Sequence, residues 1–182
     1  GLPQTSVTAL AQTREGYLWI GTLAGLVRFD GERFVIFDTD NAPELKNGRI
    51  TSLHEDADGV LWIGHETGDV TRLAEGRFAA EALPASWQRD VFTSIAKDRH
   101  GDVWVHSRMG RLARLRDGLV LPPGDSVIDG YGLSALTRDS AGELWVTRGG
   151  QLHRVQDGQL IPAAQPPATP TNFVQALCHR RA

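Results

Sequence analysis

Four tryptophans in one recurring context constrain this chain more than any other feature: Leu18-Trp19-Ile20, Leu61-Trp62-Ile63, Val103-Trp104-Val105 and Leu144-Trp145-Val146. They stand 43, 42 and 41 residues apart. A glycine precedes each by three residues (Gly16, Gly59, Gly101, Gly142), and an aliphatic residue precedes each by nine (Leu10, Leu53, Ile95, Leu136). Another glycine follows, Gly25, Gly68, Gly110 or Gly150. Then come Arg28-Phe29, Arg72-Leu73, Arg114-Leu115 and Arg154-Val155. Acidic-Gly pairs close the pattern: Asp30-Gly31, Glu75-Gly76, Asp117-Gly118 and Asp157-Gly158. So many residue types in register define an internal repeat of about 40 residues.

Each repeat reads as four short strands separated by turns. In the first, Val7 to Ala11, Tyr17 to Thr22, Gly25 to Phe29 and Arg33 to Phe37 are the strands. Asp-Gly and Glu-Gly suit tight hairpins because glycine accepts positive φ. The second strand is almost wholly apolar and should be covered on both faces, and no stretch carries a helical period. Four strands per repeat is a propeller blade. The fold class is therefore all-β, a β-propeller fragment of four four-stranded blades in an incomplete ring, followed by the first strand of a fifth. The blades fall at about 5–37, 50–80, 91–121 and 132–162, with the start of a fifth at 172–178. A proline-rich connector, Ile161 to Pro170, precedes Asn172-Phe173-Val174-Gln175-Ala176-Leu177. That segment reads as a truncated fifth blade or as a closure strand swapped into the first. The tryptophans and turn glycines are read as packing residues. The arginines are read as covering apolar surface with their stems and pairing with Asp56, Asp98 and Asp139.

The string Gly1-Leu2-Pro3, Val7-Thr8-Ala9-Leu10, Gly16-Tyr17-Leu18-Trp19-Ile20-Gly21-Thr22, Gly25-Leu26-Val27-Arg28-Phe29-Asp30-Gly31 resembles the two-component regulator propeller repeat. The second blade repeats it as Ile50-Thr51-Ser52-Leu53 and Asp58-Gly59-Val60-Leu61-Trp62-Ile63-Gly64. In the third and fourth, His106 and Thr147 replace the glycine after the strand core. The resemblance implies the extracytoplasmic, periplasmic input region of a membrane-anchored bacterial sensor. Its partners would be the remaining blades and the output domains of a longer protein, with a small-molecule ligand, and it leaves room for a homodimer.

Other functions find less support. With 19 Lys and Arg against 22 Asp and Glu, the net charge is −3, and no basic run offers a nucleic-acid surface. The single Cys178 rules out an internal disulfide and a multi-cysteine metal site. No catalytic constellation and no cofactor motif stands out, so no enzyme activity, cofactor or metal is expected. The informative positions are those that vary between equivalent slots at the end of the second strand: His65, Glu66, His106, Arg108 and Arg148. They are expected together on one rim, as contacts to a ligand or partner or as a solvated loop. The other histidines, His54, His100, His153 and His179, are read as surface residues. A protein-interaction scaffold is the first alternative function. A metal-dependent propeller lyase using His65, Glu66 and His106 is the lesser one.

Overall fold

The turn between the first two strands of each repeat shows why the glycine and the tryptophan keep their spacing. In the computed structural model, Asp56 Oδ1 accepts from the amides of Asp58 and Val60 at 2.8 and 3.0 Å, while Oδ2 accepts the Trp62 indole N–H at 2.9 Å. Asp98 does the same for His100, Asp102 and Trp104, and Asp139 for Ala141, Glu143 and Trp145. The Asp56, Asp98 and Asp139 carboxylates thus hold turn and ring together. Thr13 takes this place in the first repeat, with its amide bonded to the Tyr17 carbonyl. The glycine of each turn sits at positive φ, between 82° and 91°, a conformation that side chains resist.

The structure describes residues 6–81, 83, 90–109, 111–116, 119–127, 136–139, 141–148, 151–156 and 159–163. The expected fifth-blade strand at 172–178 and most of the connector lie outside them.

Among the described residues, sixteen strands form four antiparallel four-stranded sheets. Sheet one holds β1 (Val7–Gln12), β2 (Leu18–Thr22), β3 (Gly25–Phe29) and β4 (Phe34–Phe37). Sheet two holds β5 (Ile50–Glu55), β6 (Leu61–His65), β7 (Val70–Ala74) and β8 (Arg77–Glu81). Sheet three holds β9 (Phe92–Lys97), β10 (Val103–Ser107), β11 (Arg111–Arg116) and β12 (Leu119–Val127). Sheet four holds β13 (Leu136–Arg138), β14 (Leu144–Arg148), β15 (Gln151–Gln156) and β16 (Gln159–Pro162). A 3-10 turn, Pro43–Leu45, links the first two sheets. The chain divides into two compact units, Gly1–Ile95 and Ala96–Ala182. Second strands are the most covered: every residue of β6 and β10 is buried.

In all four sheets the tryptophan stands directly opposite the repeated arginine: Trp19–Arg28, Trp62–Arg72, Trp104–Arg114 and Trp145–Arg154. In sheets one and three the guanidinium lies over an aromatic face, with Arg28 4.6 Å from the Tyr17 centroid and Arg114 5.8 Å from that of Trp104. The stem thereby covers the ring while the charge stays near water.

Sheet-to-sheet packing supplies the cores. In the first unit, Trp19 and Leu26 of sheet one pack with Ile50, Leu61 and Ile63 of sheet two, with Ala42 and Leu45 beside them. Phe37 bridges the layer, 5.8 Å from Trp19 and 5.2 Å from Phe78. In the second unit, Trp104 and Leu112 of sheet three pack with Leu136, Leu144 and Val146 of sheet four. Gly21 is small because of this approach: a Cβ there would lie 2.8 Å from Ile50 Cγ2.

Candidate functional site

The second strands end in Thr22, His65, Ser107 and Arg148, the slots in which the repeat varies. The structure withdraws most of them from solvent. His65 is fully buried. Its Nδ1 lies 2.6 Å from the Asn47 carbonyl and its Nε2 2.9 Å from Thr71 Oγ1. The carbonyl only accepts, so Nδ1 carries the proton. Thr22 and Ser107 are equally buried, and Thr22 Oγ1 donates to the Gly25 carbonyl. His106, one residue before the end of β10, is 2% exposed. Both histidines expected on a solvent-facing rim are therefore interior residues that fill the strand ends. Glu66 follows His65 on the surface and pairs with Arg49, which binds it through Nε and Nη2. An ion pair this exposed contributes about 0–1 kcal/mol. Arg108 is exposed in the turn after β10. Arg148 closes β14 opposite Gln151, and its side chain lies outside the described residues. Of the expected set, the described side chains that reach water are Glu66 in the first unit and Arg108 in the second. His153, read as surface, is 8% exposed, and its Nδ1 is 3.2 Å from the Gln151 carbonyl.

Burial has a pH consequence. It lowers the pKa of His106 from 6.5 to about 4 and lowers that of His65 as well, against the opposing Asn47 carbonyl and Asp69 charge. A histidine with a depressed folded pKa resists protonation only while folded. Its contribution is complete above about pH 6.5 and is lost as pH falls toward 4. For His106 the loss approaches about 3 kcal/mol at the acid end. Urea midpoints of the wild type should fall between pH 7.5 and 4.5 by more than those of His106→Thr, which installs the residue that sheet four carries in this slot. Parallel pH profiles would show that His106 is not the group responsible.

A second site lies at the opposite end of the second strands, in the second unit. A cavity of about 270 Å³ opens between sheets three and four, lined by Asp98, Arg99, His100, Asp102, Trp104, Arg114, Arg116, Gly142, Glu143, Leu144, Val155 and Gln156. Asp102 is its buried anchor at 1% exposure. Arg116 donates to it through Nε at 2.5 Å and Nη2 at 2.8 Å, and Arg114 Nε stands 3.7 Å away. Across the cavity Arg99, in the β9–β10 turn of sheet three, donates through Nη1 to Glu143 Oε1 of sheet four at 2.7 Å. Sequence reasoning missed this cluster because it compared repeats only at the other end of the strand. The signal was present: two residues before the tryptophan the repeats carry Tyr17, Val60, Asp102 and Glu143. Among the described residues, no three His, Cys, Asp or Glu side chains group so as to hold a metal ion. Nor, among them, is any helix long and apolar enough to cross a membrane.

Four antiparallel four-stranded sheets, with Trp19 packed against the second sheet and Trp104 against the fourth, and turns closed by Asp and Gly define a β-propeller segment. Within it, residues 1–24 and 44–67 match the two component regulator propeller family. No curated protein sequence matches the chain. Solved structures share the fold. The extracellular domain of a hybrid two-component system from B. thetaiotaomicron is 20% identical, with a TM-score of 0.71 over 97% of this chain and 25% of that one. A second such domain from B. thetaiotaomicron is 19% identical, with a TM-score of 0.69 over 90% of this chain and 23% of that one. Virginiamycin B lyase from Staphylococcus aureus is 18% identical, with a TM-score of 0.69 over 91% of this chain and 58% of that one. The chain thus spans a little over half the length of the lyase and about a quarter of the extracellular domains.

Proposed function

We propose that this chain is part of the extracytoplasmic sensory region of a two-component-type signalling protein. It would hold and present a ligand-binding surface and carry no catalysis of its own. The observation that supports this reading is the match of its first two blades to the regulator propeller family, in a fold it shares with extracellular domains of hybrid two-component systems. Rigid sheets that position variable strand ends and turns suit recognition. Glu66 and Arg108 are the solvent-facing members of the expected rim set and are proposed as partner contacts.

A lyase reading has the similarity to virginiamycin B lyase in its favour. At this identity that likeness speaks for the fold alone. Exchanging residues 1–182 for the matching stretch of another regulator propeller, within the full-length protein, separates the readings. The stimulus that switches the output should follow the exchanged segment. An output indifferent to the exchange would overturn the sensory reading, and turnover of a streptogramin by the unexchanged protein would favour the lyase.

A further inference from the structure

We propose that the cavity between sheets three and four is a binding site for a small organic anion, with a carboxylate or phosphate group held by Arg116 and Arg99. This deepens the sensory reading, on which it rests for its biological role but not for its chemistry.

The first support is the cost of the site. Asp102 is a carboxylate at 1% exposure. The same slot holds Tyr17 in sheet one and Val60 in sheet two, so two of the four blades fold without a charge there, and only sheet four also carries an acid, Glu143. Burying an ion pair gives folding little or nothing compared with apolar packing. Arg116 is peculiar to this blade, since Asp30, Ala74 and Gln156 occupy the slot in the other three repeats. The third repeat sets an ion pair at the cavity where the first two carry Tyr17 with Asp30 and Val60 with Ala74.

The second support is which charges the cavity offers. The acids lie deep: Asp102 at 1% and Glu143 at 22% side-chain exposure. Arg116 and Arg99 lie outermost, at 53% and 55%. Each guanidinium is steadied by an acid beneath it and turned toward solvent, a preorganised arrangement for an oxyanion. Trp104 and Leu144 supply apolar wall on the two sides. The volume, about 270 Å³, equals that of about nine waters. It suits a ligand of roughly that many non-hydrogen atoms, below the usual range for drug-sized molecules.

Equilibrium dialysis of the full chain against radiolabelled benzoate, inorganic phosphate and erythritol tests this, and it reads binding whether or not the chain associates with itself. Saturable binding of benzoate or of phosphate is expected, with the better of the two identifying the head group, and none of erythritol. Arg116→Gln should weaken it about tenfold. Glu143→Gln should tighten it, by releasing Arg99 toward the ligand. Both variants must melt within a few degrees of wild type, and a third, Arg99→Gln, reports on the same face if either does not. Absence of saturable anion binding, equal binding of erythritol, or a shift of the same sign in Arg116→Gln and Glu143→Gln would overturn the proposal. Anion binding with an output in the full-length protein that ignores Arg116→Gln would leave the site standing and remove its sensory role.

Discussion

Trp19→Ala is expected to lower the stability of the chain by about 3–5 kcal/mol, the range for truncating a buried large aromatic residue. Trp19 is 4% exposed and sits at the centre of the layer between sheets one and two, with Phe37 stacked 5.8 Å away. The backbone of β5 and β6 on the far side is fixed by its own sheet, so the cavity cannot collapse. The companion change Trp62→Phe separates packing from hydrogen bonding. It keeps most of the ring but removes the indole N–H that Asp56 Oδ2 accepts at 2.9 Å. A loss of about 1–3 kcal/mol is expected, because the 2% exposed Asp56 keeps its charge and loses a donor. Urea unfolding of both variants beside the wild type is the measurement. A loss below about 1 kcal/mol for Trp19→Ala would show that the tryptophan does not hold the two sheets together.

The repeat was legible because the residues that shape a blade are local. Gly59 is needed where φ reaches 82°, and Asp56, three residues earlier, closes that turn and reaches Trp62, so one short string encodes strand, turn and strand. The outer strand of sheet three was read short. Leu119–Val127 continues through Pro122, Pro123 and Gly124, which look like breakers. β12 is the edge of its sheet, where a missing amide donor is tolerated. The histidines misled for a different reason. A polar residue at a strand end reads as a loop contact, whereas the hydrogen-bond partners that bury His65 come from Asn47 and Thr71, 18 and 6 residues away. The charged cavity was hidden because Asp102 and Arg116 meet only across the β10–β11 hairpin and Glu143 belongs to another repeat. No single stretch of sequence announces the three together.

The 182-residue chain on its own is expected to self-associate at micromolar concentration. A propeller blade buries both of its faces between neighbours, and sheet one has only one neighbour of this kind within its unit. The face carrying Trp19 is covered by sheet two. On the opposite face the ladder aligns Leu10 with Ile20 and Val27, and Leu18 with Phe29 and Phe34. Leu10 is 61% exposed and Phe34 41%. The residues equivalent to Leu10 show what that face requires: Leu53 packs into the first core, and Ile95 and Leu136 are 3% and 7% exposed. A contiguous apolar surface of this sort drives association, and β1 adds an unpaired strand edge beside it. Multi-angle light scattering should therefore give a mass above 19.9 kDa that rises with concentration. Leu10→Lys with Phe34→Lys should return the mass to that of a monomer, with the urea midpoint falling only by what the Phe29–Phe34 stack, 4.5 Å between centroids, contributes. Fusing a blade of the regulator-propeller kind ahead of sheet one should have the same effect, by covering the face instead of charging it. A monodisperse wild-type monomer that unfolds cooperatively would show that sheet one needs no neighbour on that side, and would turn attention to Phe173 to Leu177 as the strand that caps it.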